Sequence, residues 1–340
     1  MRAAVFRGPG QPLRVEEVPT PQPGNGEARV SVTACGFCHT DLHYMDQGVA
    51  TAKPPPMVLG HEIAGRVDAL GPGIEGVSVG ETVLVPAVLP CGRCEYCRTG
   101  RENICPRMRM IGNHLDGGFA EFVVVPAKDL VPLPTEIDPV LGCVISDALT
   151  TPYHAVVNRA QVREGERVAV LGCGGVGINA VQFAIGAGAQ VVAIDLNDAK
   201  LDMARRLGAT ETLNPARTED LGKEVRRIWG DGVDVAIEAV GNPTTIALAF
   251  ATLRRGGRLC LVGYSSASAV LPAARVMFFE YSIIGSLGCR PGDYPRVVEL
   301  VRKGRVQLRP VVTGRVTLEE IGTAADRLRE GTGFRTVVVP

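Results

Sequence analysis

The sequence carries no surplus of charge. Lys and Arg number 36 and Asp and Glu number 36, so the formal net charge is zero. Nucleic-acid and anionic-membrane binders carry a basic excess, so neither is expected as the principal partner. No apolar run reaches the ~18 residues of a membrane span. The opening segment, MRAAVFRGPGQPLRVEEVP, lacks the apolar core of a secretory signal, and a cytoplasmic protein is expected. There is no fixed-period repeat and no low-complexity tail. The single tryptophan, Trp229, reads as the anchor of a surface helix.

What is present suits a soluble globular enzyme, with 46% hydrophobic and 21% charged residues. A chain of 340 residues exceeds one typical core, so two domains are expected. The 41 glycines suit tight turns and close backbone approaches. Of the ten cysteines, the clustered ones read, in a reducing compartment, as metal ligands rather than disulfides.

Residues 1–150 read as β-rich. The Val-rich runs Ala28–Val32, Ile63–Val67, Thr82–Val85 and Glu121–Val125 are separated by Gly and Pro, and no long helical period interrupts them. From about Asp147–Val157 the texture changes to strands alternating with helices. Strands are predicted at Arg167–Leu171, Gln190–Asp195, Val233–Ala239 and Gly257–Val262, and helices at Ile178–Ile185 and Ala199–Leu207. This alternation implies a doubly wound parallel sheet with right-handed crossovers. Two further helices (Tyr294–Arg302, Leu318–Arg329) and a final strand (Arg335–Val339) close the chain.

Three motifs carry chemistry. Cys91, Cys94 and Cys97 are three apart and Cys105 follows, a spacing that presents four thiolates to one tetrahedral zinc. Such a site has no open position and holds a loop. Gly172-Cys173-Gly174-Gly175-Val176-Gly177 lies between a predicted strand and a predicted helix, the context of a dinucleotide turn. Asp195 ends the next strand, where a carboxylate binds ribose hydroxyls and repels a 2′-phosphate, favouring NAD over NADP. Finally, Cys35 to His43 (CGFCHTDLH) and Gly60-His61-Glu62 concentrate metal-binding groups. Cys38 and His61 are the natural first two ligands of a catalytic zinc, with Glu62 either touching the metal or supporting it.

In order along the chain, GFCHTD, GHEIAGRV, CGRCEYC, GCGGVG with Asp195, DVAIEAVG, GGRLCLVG and FRTVVV resemble the zinc-dependent medium-chain dehydrogenase/reductases, the alcohol dehydrogenase superfamily. The resemblance implies a Rossmann cofactor domain at 151–286. It also implies a β-rich GroES-like catalytic domain at 1–150, carrying the structural zinc lobe and completed by 287–340. Two zinc ions per chain and NAD are implied. Cys38 and His61 match zinc ligands, and Thr40 and His43 match a proton relay. His39 and Arg335 match residues near the cofactor pyrophosphate, and Gly172, Gly174, Gly175, Val176, Gly177, Asp195, Lys200 and Val262 fall in the cofactor site. For the third ligand, the register of LGCVISDALTTPYHAV favours Asp147, with Cys143 as the alternative. The expected activity is reversible hydride transfer between primary or secondary alcohols and NAD. A threonine or polyol dehydrogenase is the rival, and a non-catalytic NAD(H)-binding protein the more distant one. A homotetramer is implied, with a homodimer as the alternative.

Overall fold

The computed structural model describes residues 1–340. The chain divides into two compact units, Met1–Thr150 with Gly288–Pro340, and Thr151–Leu287.

In the first unit a seven-stranded sheet is built around the longest strand, Glu27–Phe37. Its sequence alternates, so that Ala28, Val30, Val32 and Ala34 are buried while the residues between them are half-buried. Glu62–Leu70 pairs with it antiparallel on one side and Arg335–Val339 antiparallel on the other. Phe122–Pro126 also pairs with it, and Val312–Thr317 lies parallel to the last strand. The core of this unit includes Phe6, Phe37, Leu59, Ile63 and Phe119, with the Phe37 and Phe119 rings stacked 5.3 Å apart. A two-stranded ribbon, Val88–Leu89 with Arg109–Met110, forms the neck of the four-cysteine lobe.

The β-rich reading of 1–150 omits the short helices there, of which His39–Met45 is the longest. Seven residues are too few to display a helical period. The helix starts where Cys38 adopts an extended backbone and the Asp41 carboxylate accepts its N–H at 2.9 Å.

The second unit holds a six-stranded parallel sheet in the order Glu211–Leu213, Gln190–Ile194, Arg167–Leu171, Val233–Glu238, Leu253–Leu261, Ser282–Gly285. The central strand RVAVL is buried at its last four residues, as a strand covered on both faces must be. The sheet reverses its winding between Arg167–Leu171 and Val233–Glu238. Nucleotides bind open sheets of this kind in the crevice outside the strand ends at that point. No single helix in the protein is long and apolar enough to cross a membrane.

Candidate active site

Cys38 sits at the N-terminus of the His39–Met45 helix and His61 at the start of the Glu62–Leu70 strand. Asp41 ties the two together. One of its oxygens accepts the Cys38 amide and the other the Gly60 amide at 3.3 Å, and it lies 3.8 Å from His61 Nδ1. Asp41 is fully buried, and burial raises its pKa. Its part in the site escapes the sequence reading. The only signal is a carboxylate three residues after Cys38, which looks like an ordinary helix cap.

Asp147 follows a tight turn at Cys143–Ser146. Ser146 Oγ donates to the Ile63 carbonyl at 2.9 Å, and Tyr294 Oη donates to the Ser146 carbonyl at 2.8 Å, which pins the turn beside the His61 strand. The Asp147 Oδ2 atom is 3.5 Å from His61 Nε2 and 3.9 Å from Cys38 Sγ. Ligand atoms of Cys38, His61, Glu62 and Asp147 all lie within 4.8 Å of one another. Cys143 stands outside this group, fully buried, with its thiol on the Val140 carbonyl at 3.3 Å.

These residues fit a zinc ion. Bonds of about 2.0–2.3 Å place tetrahedral ligand atoms roughly 3.3–3.8 Å apart. The 3.5 Å separation falls within that range and the 3.9 Å separation just above it, and the buried ring nitrogens of His61 have no hydrogen-bond partner. Glu62 reaches the same group by lying across the neighbouring strand, where a Cβ on Gly36 would collide with its carboxylate. Burial pushes the Glu62 carboxyl up to about 7, against the pull of the Arg335 guanidinium 2.9 Å away. The resemblance places Arg335 near the cofactor pyrophosphate, and in this structure its guanidinium pairs with Glu62. Arg335 is only 3% exposed and is held by Glu62 and the Phe37 carbonyl. That buried pairing follows from the Arg335–Val339 strand lying next to Glu27–Phe37.

The relay candidates share one helix. Thr40 Oγ1 is 3.8 Å from Cys38 Sγ, His43 lies half-buried one turn on, and His39 is exposed at the helix start. Burial lowers the His43 pKa, which favours the neutral imidazole.

The second cysteine group is equally compact. Cys94 Sγ is 3.4 Å from Cys97 Sγ and 3.6 Å from Cys105 Sγ, and Cys91 is 3.9 Å from Cys97. These spacings bracket the roughly 3.8 Å edge of a tetrahedron with sulfur at about 2.3 Å from zinc. The Arg93 amide and then the Arg107 guanidinium bring the Cys91 thiol down to about 5, the thiolate form that a metal requires.

In the second unit, the Gly172–Gly177 turn passes into the helix Gly177–Gly186. A Cβ on Gly177 would collide with the Gly172 carbonyl oxygen, so helix and strand approach this closely only with glycine there. Beside Gly174 nothing lies within 4 Å of where a Cβ would be, an open cradle of the kind a pyrophosphate occupies. Asp195 anchors the turn, accepting the Cys173 N–H at 2.7 Å with one oxygen and the Asn197 N–H at 2.9 Å with the other. Lys200 lies in the first turn of the next helix, Asp198–Arg206. Val262 follows the Leu253–Leu261 strand and donates its N–H to the Glu238 carbonyl at 2.9 Å. Two buried amides escape the sequence reading. Asn179 donates to the Gly175 carbonyl at 2.8 Å and accepts from Gln182 at 2.9 Å, polar groups inside an otherwise apolar helix.

Known proteins share this arrangement. Residues 24–135 match the family model of the alcohol dehydrogenase GroES-like domain, and 175–303 that of the zinc-binding dehydrogenase. An alcohol dehydrogenase of Geobacillus stearothermophilus is 36% identical over 97% of this chain and 96% of its own length. The chain belongs to the zinc-dependent medium-chain alcohol dehydrogenases. An S-(hydroxymethyl)glutathione dehydrogenase of Escherichia coli is 33% identical, with 99% of each chain covered. A solved NAD-dependent alcohol dehydrogenase superposes with a TM-score of 0.93 at 34% identity, covering 100% of both chains. This protein is accordingly an oxidoreductase, and its two donor clusters and glycine turn suit two zinc ions and a nicotinamide dinucleotide.

Proposed function

We propose that this dehydrogenase catalyses the reversible, NAD-dependent interconversion of primary or secondary alcohols with aldehydes or ketones. The observation that carries the reading is the buried cluster of Cys38, His61, Glu62 and Asp147, in which both His61 nitrogens lack a hydrogen-bond partner.

Cys38, His61 and Asp147 would hold the catalytic zinc, and Cys91, Cys94, Cys97 and Cys105 the structural one. When bound, zinc polarises the substrate oxygen and the nicotinamide exchanges a hydride with the substrate carbon. The remaining work belongs to the chain. Asp41 fixes the Cys38 and His61 loops relative to each other through two backbone amides. Thr40 Oγ1 takes up the hydroxyl proton of the alcohol as it gives up its own, and His43, neutral because it is half-buried, receives the displaced proton and passes it to solvent. Asp195, already turned toward the glycine loop, accepts ribose hydroxyls and disfavours a 2′-phosphate.

A threonine or polyol substrate is the second reading, supported by a carboxylate, Asp147, standing in the metal cluster. A spectrophotometric panel decides between them, with simple alcohols, S-(hydroxymethyl)glutathione, threonine and polyols each offered NAD and NADP, and zinc measured on the same sample. Turnover of simple alcohols with NAD, at two zinc ions per chain, is expected. No turnover of any substrate by the fully zinc-loaded chain would rule the reading out. Self-association is also part of the proposal. Ser282–Gly285 is an edge strand carrying exposed Ile283, which a second copy would cover by antiparallel pairing.

A further inference from the structure

Glu238 takes no part in the chemistry above, yet three strand ends are fastened to it. It closes the Val233–Glu238 strand and lies opposite Leu171, the residue before the glycine turn. Its side chain is fully buried. Oε1 accepts three hydrogen bonds, from the N–H groups of Val240 and Gly241 at 2.9 Å each and from the Thr245 hydroxyl at 2.8 Å. Oε2 is buried as well and has no partner. The three donors are neutral, and a buried acid with no cation among its partners is costly to keep. A leucine in its place would leave two amides and a hydroxyl unsatisfied.

What those bonds hold is the turn Ala239–Asn242. The Ala239 amide donates to the Leu171 carbonyl at 2.9 Å, and the Val240 side chain fills the space that a Cβ on Gly172 would need. On its other side the turn packs against Gly263 and the Tyr264 carbonyl. The Glu238 backbone carbonyl accepts from Val262 and Gly263 at 2.9 and 3.1 Å. One residue therefore joins the ends of Arg167–Leu171, Val233–Glu238 and Leu253–Leu261. This is the edge at which the sheet changes winding and a dinucleotide lies. Val240, 45% exposed, is the apolar surface presented there.

We propose that Glu238 is a positioning residue for the dinucleotide. By hanging the Ala239–Asn242 turn from one buried oxygen, it gives the crevice beside the glycine turn its binding shape before the cofactor arrives. Preorganisation of this kind lowers the ordering cost of binding and acts on cofactor affinity rather than on the chemical step. The proposal rests on the NAD reading above.

The test is titration of the zinc-loaded chain with NADH, followed by nicotinamide fluorescence, beside steady-state kinetics. Glu238→Ala loses three hydrogen bonds to one buried oxygen and is expected to raise the NADH Kd and the KM for NAD about tenfold or more. Its kcat at saturating NAD should stay within about threefold of wild type, and both zinc ions should remain. Glu238→Gln keeps an oxygen for the same donors and should restore binding to within about threefold. Should Glu238→Ala fail to fold, Thr245→Val removes one donor at constant volume and should weaken NADH about fivefold. Wild-type affinity in either the Glu238→Ala or the Thr245→Val chain, or a fall in kcat with Kd unchanged, would overturn the assignment. A wild-type chain that itself ignores NADH would overturn the NAD reading and this proposal with it. Wild-type binding with unaffected variants would sink this proposal alone.

Discussion

At the scale of single residues, the proposed mechanism separates groups that hold the metal from groups that move a proton. Asp147→Ala should reduce zinc from two ions per chain to one, whereas Cys143→Ala should keep both, because the Cys143 thiol is engaged with the Val140 carbonyl. Elemental analysis of the two purified variants checks this, and two zinc ions in Asp147→Ala would remove that residue from the ligand set. Thr40→Val should lower turnover by about 10²-fold or more while zinc content is unchanged. His43 gives the pH dependence its sign. Burial favours its neutral form, so its pKa lies below the usual 6.5. The base is available at neutral pH and is lost as acid protonates it. Alcohol oxidation should therefore be level from neutral pH upward and fall on the acid side, and His43→Gln should abolish that acid limb. An unchanged acid limb in His43→Gln would assign it to another group. That Cys38 and His61 come together could be read from sequence because the metal-binding groups are concentrated in two short strings. Asp41 could not, since its two functions, cap and clamp, differ only in what lies across from it. Nor could the Glu62–Arg335 pairing, which exists only because two strands distant in sequence flank the same third strand.

At the scale of elements, legibility follows boundaries. Thr82–Val85, Arg167–Leu171, Tyr294–Arg302 and Arg335–Val339 begin and end where their apolar pattern does. The strand Leu253–Leu261 starts four residues before its apolar run. Arg254, Arg255 and Gly256 break the pattern there, in an irregular stretch where the pairing register shifts and Gly256 takes a φ of 72°. The Cys91–Cys105 lobe is the opposite case, an element with almost no pattern of its own. Its one α-helical turn, Glu95–Arg98, buries no residue, so the thiolate cluster substitutes for a core. Cys94→Ser should lose one zinc and open the lobe to trypsin, which finds exposed Arg93, Arg98, Arg101 and Arg107 there. Mass spectrometry of the first fragments checks the outcome. First cuts elsewhere in the chain would mean that the lobe is held by other forces.

At the scale of the whole molecule, the exposed apolar residues are unevenly distributed. Tyr264, Val270, Met277, Phe278, Ile283 and Leu287 all fall in one stretch that includes the edge strand Ser282–Gly285. Exposed apolar residues concentrated beside an edge strand make the kind of surface that association covers. Ile283→Lys is expected to lower the mass measured by light scattering to that of a smaller assembly, with zinc content unaffected. An unaltered mass would place the association surface elsewhere. The two units also differ in how their sheets close. The parallel sheet is assembled from consecutive stretches of chain, which is why strand–helix alternation alone disclosed it. The other sheet joins residues from both ends of the sequence, and no local pattern announces such a pairing.

That last arrangement has a consequence for synthesis. The Arg335–Val339 strand is hydrogen-bonded beside Glu27–Phe37, and Arg335 is the cation that meets Glu62. In chain order every strand of the dinucleotide sheet precedes Arg335. The metal pocket, although most of its ligands are made early, lacks its buried counter-charge until Arg335 is added. A nascent chain is thus able to make its cofactor sheet first, and a product truncated before Arg335 would carry the thiol and imidazole of the zinc site beside a Glu62 without its ion-pair partner.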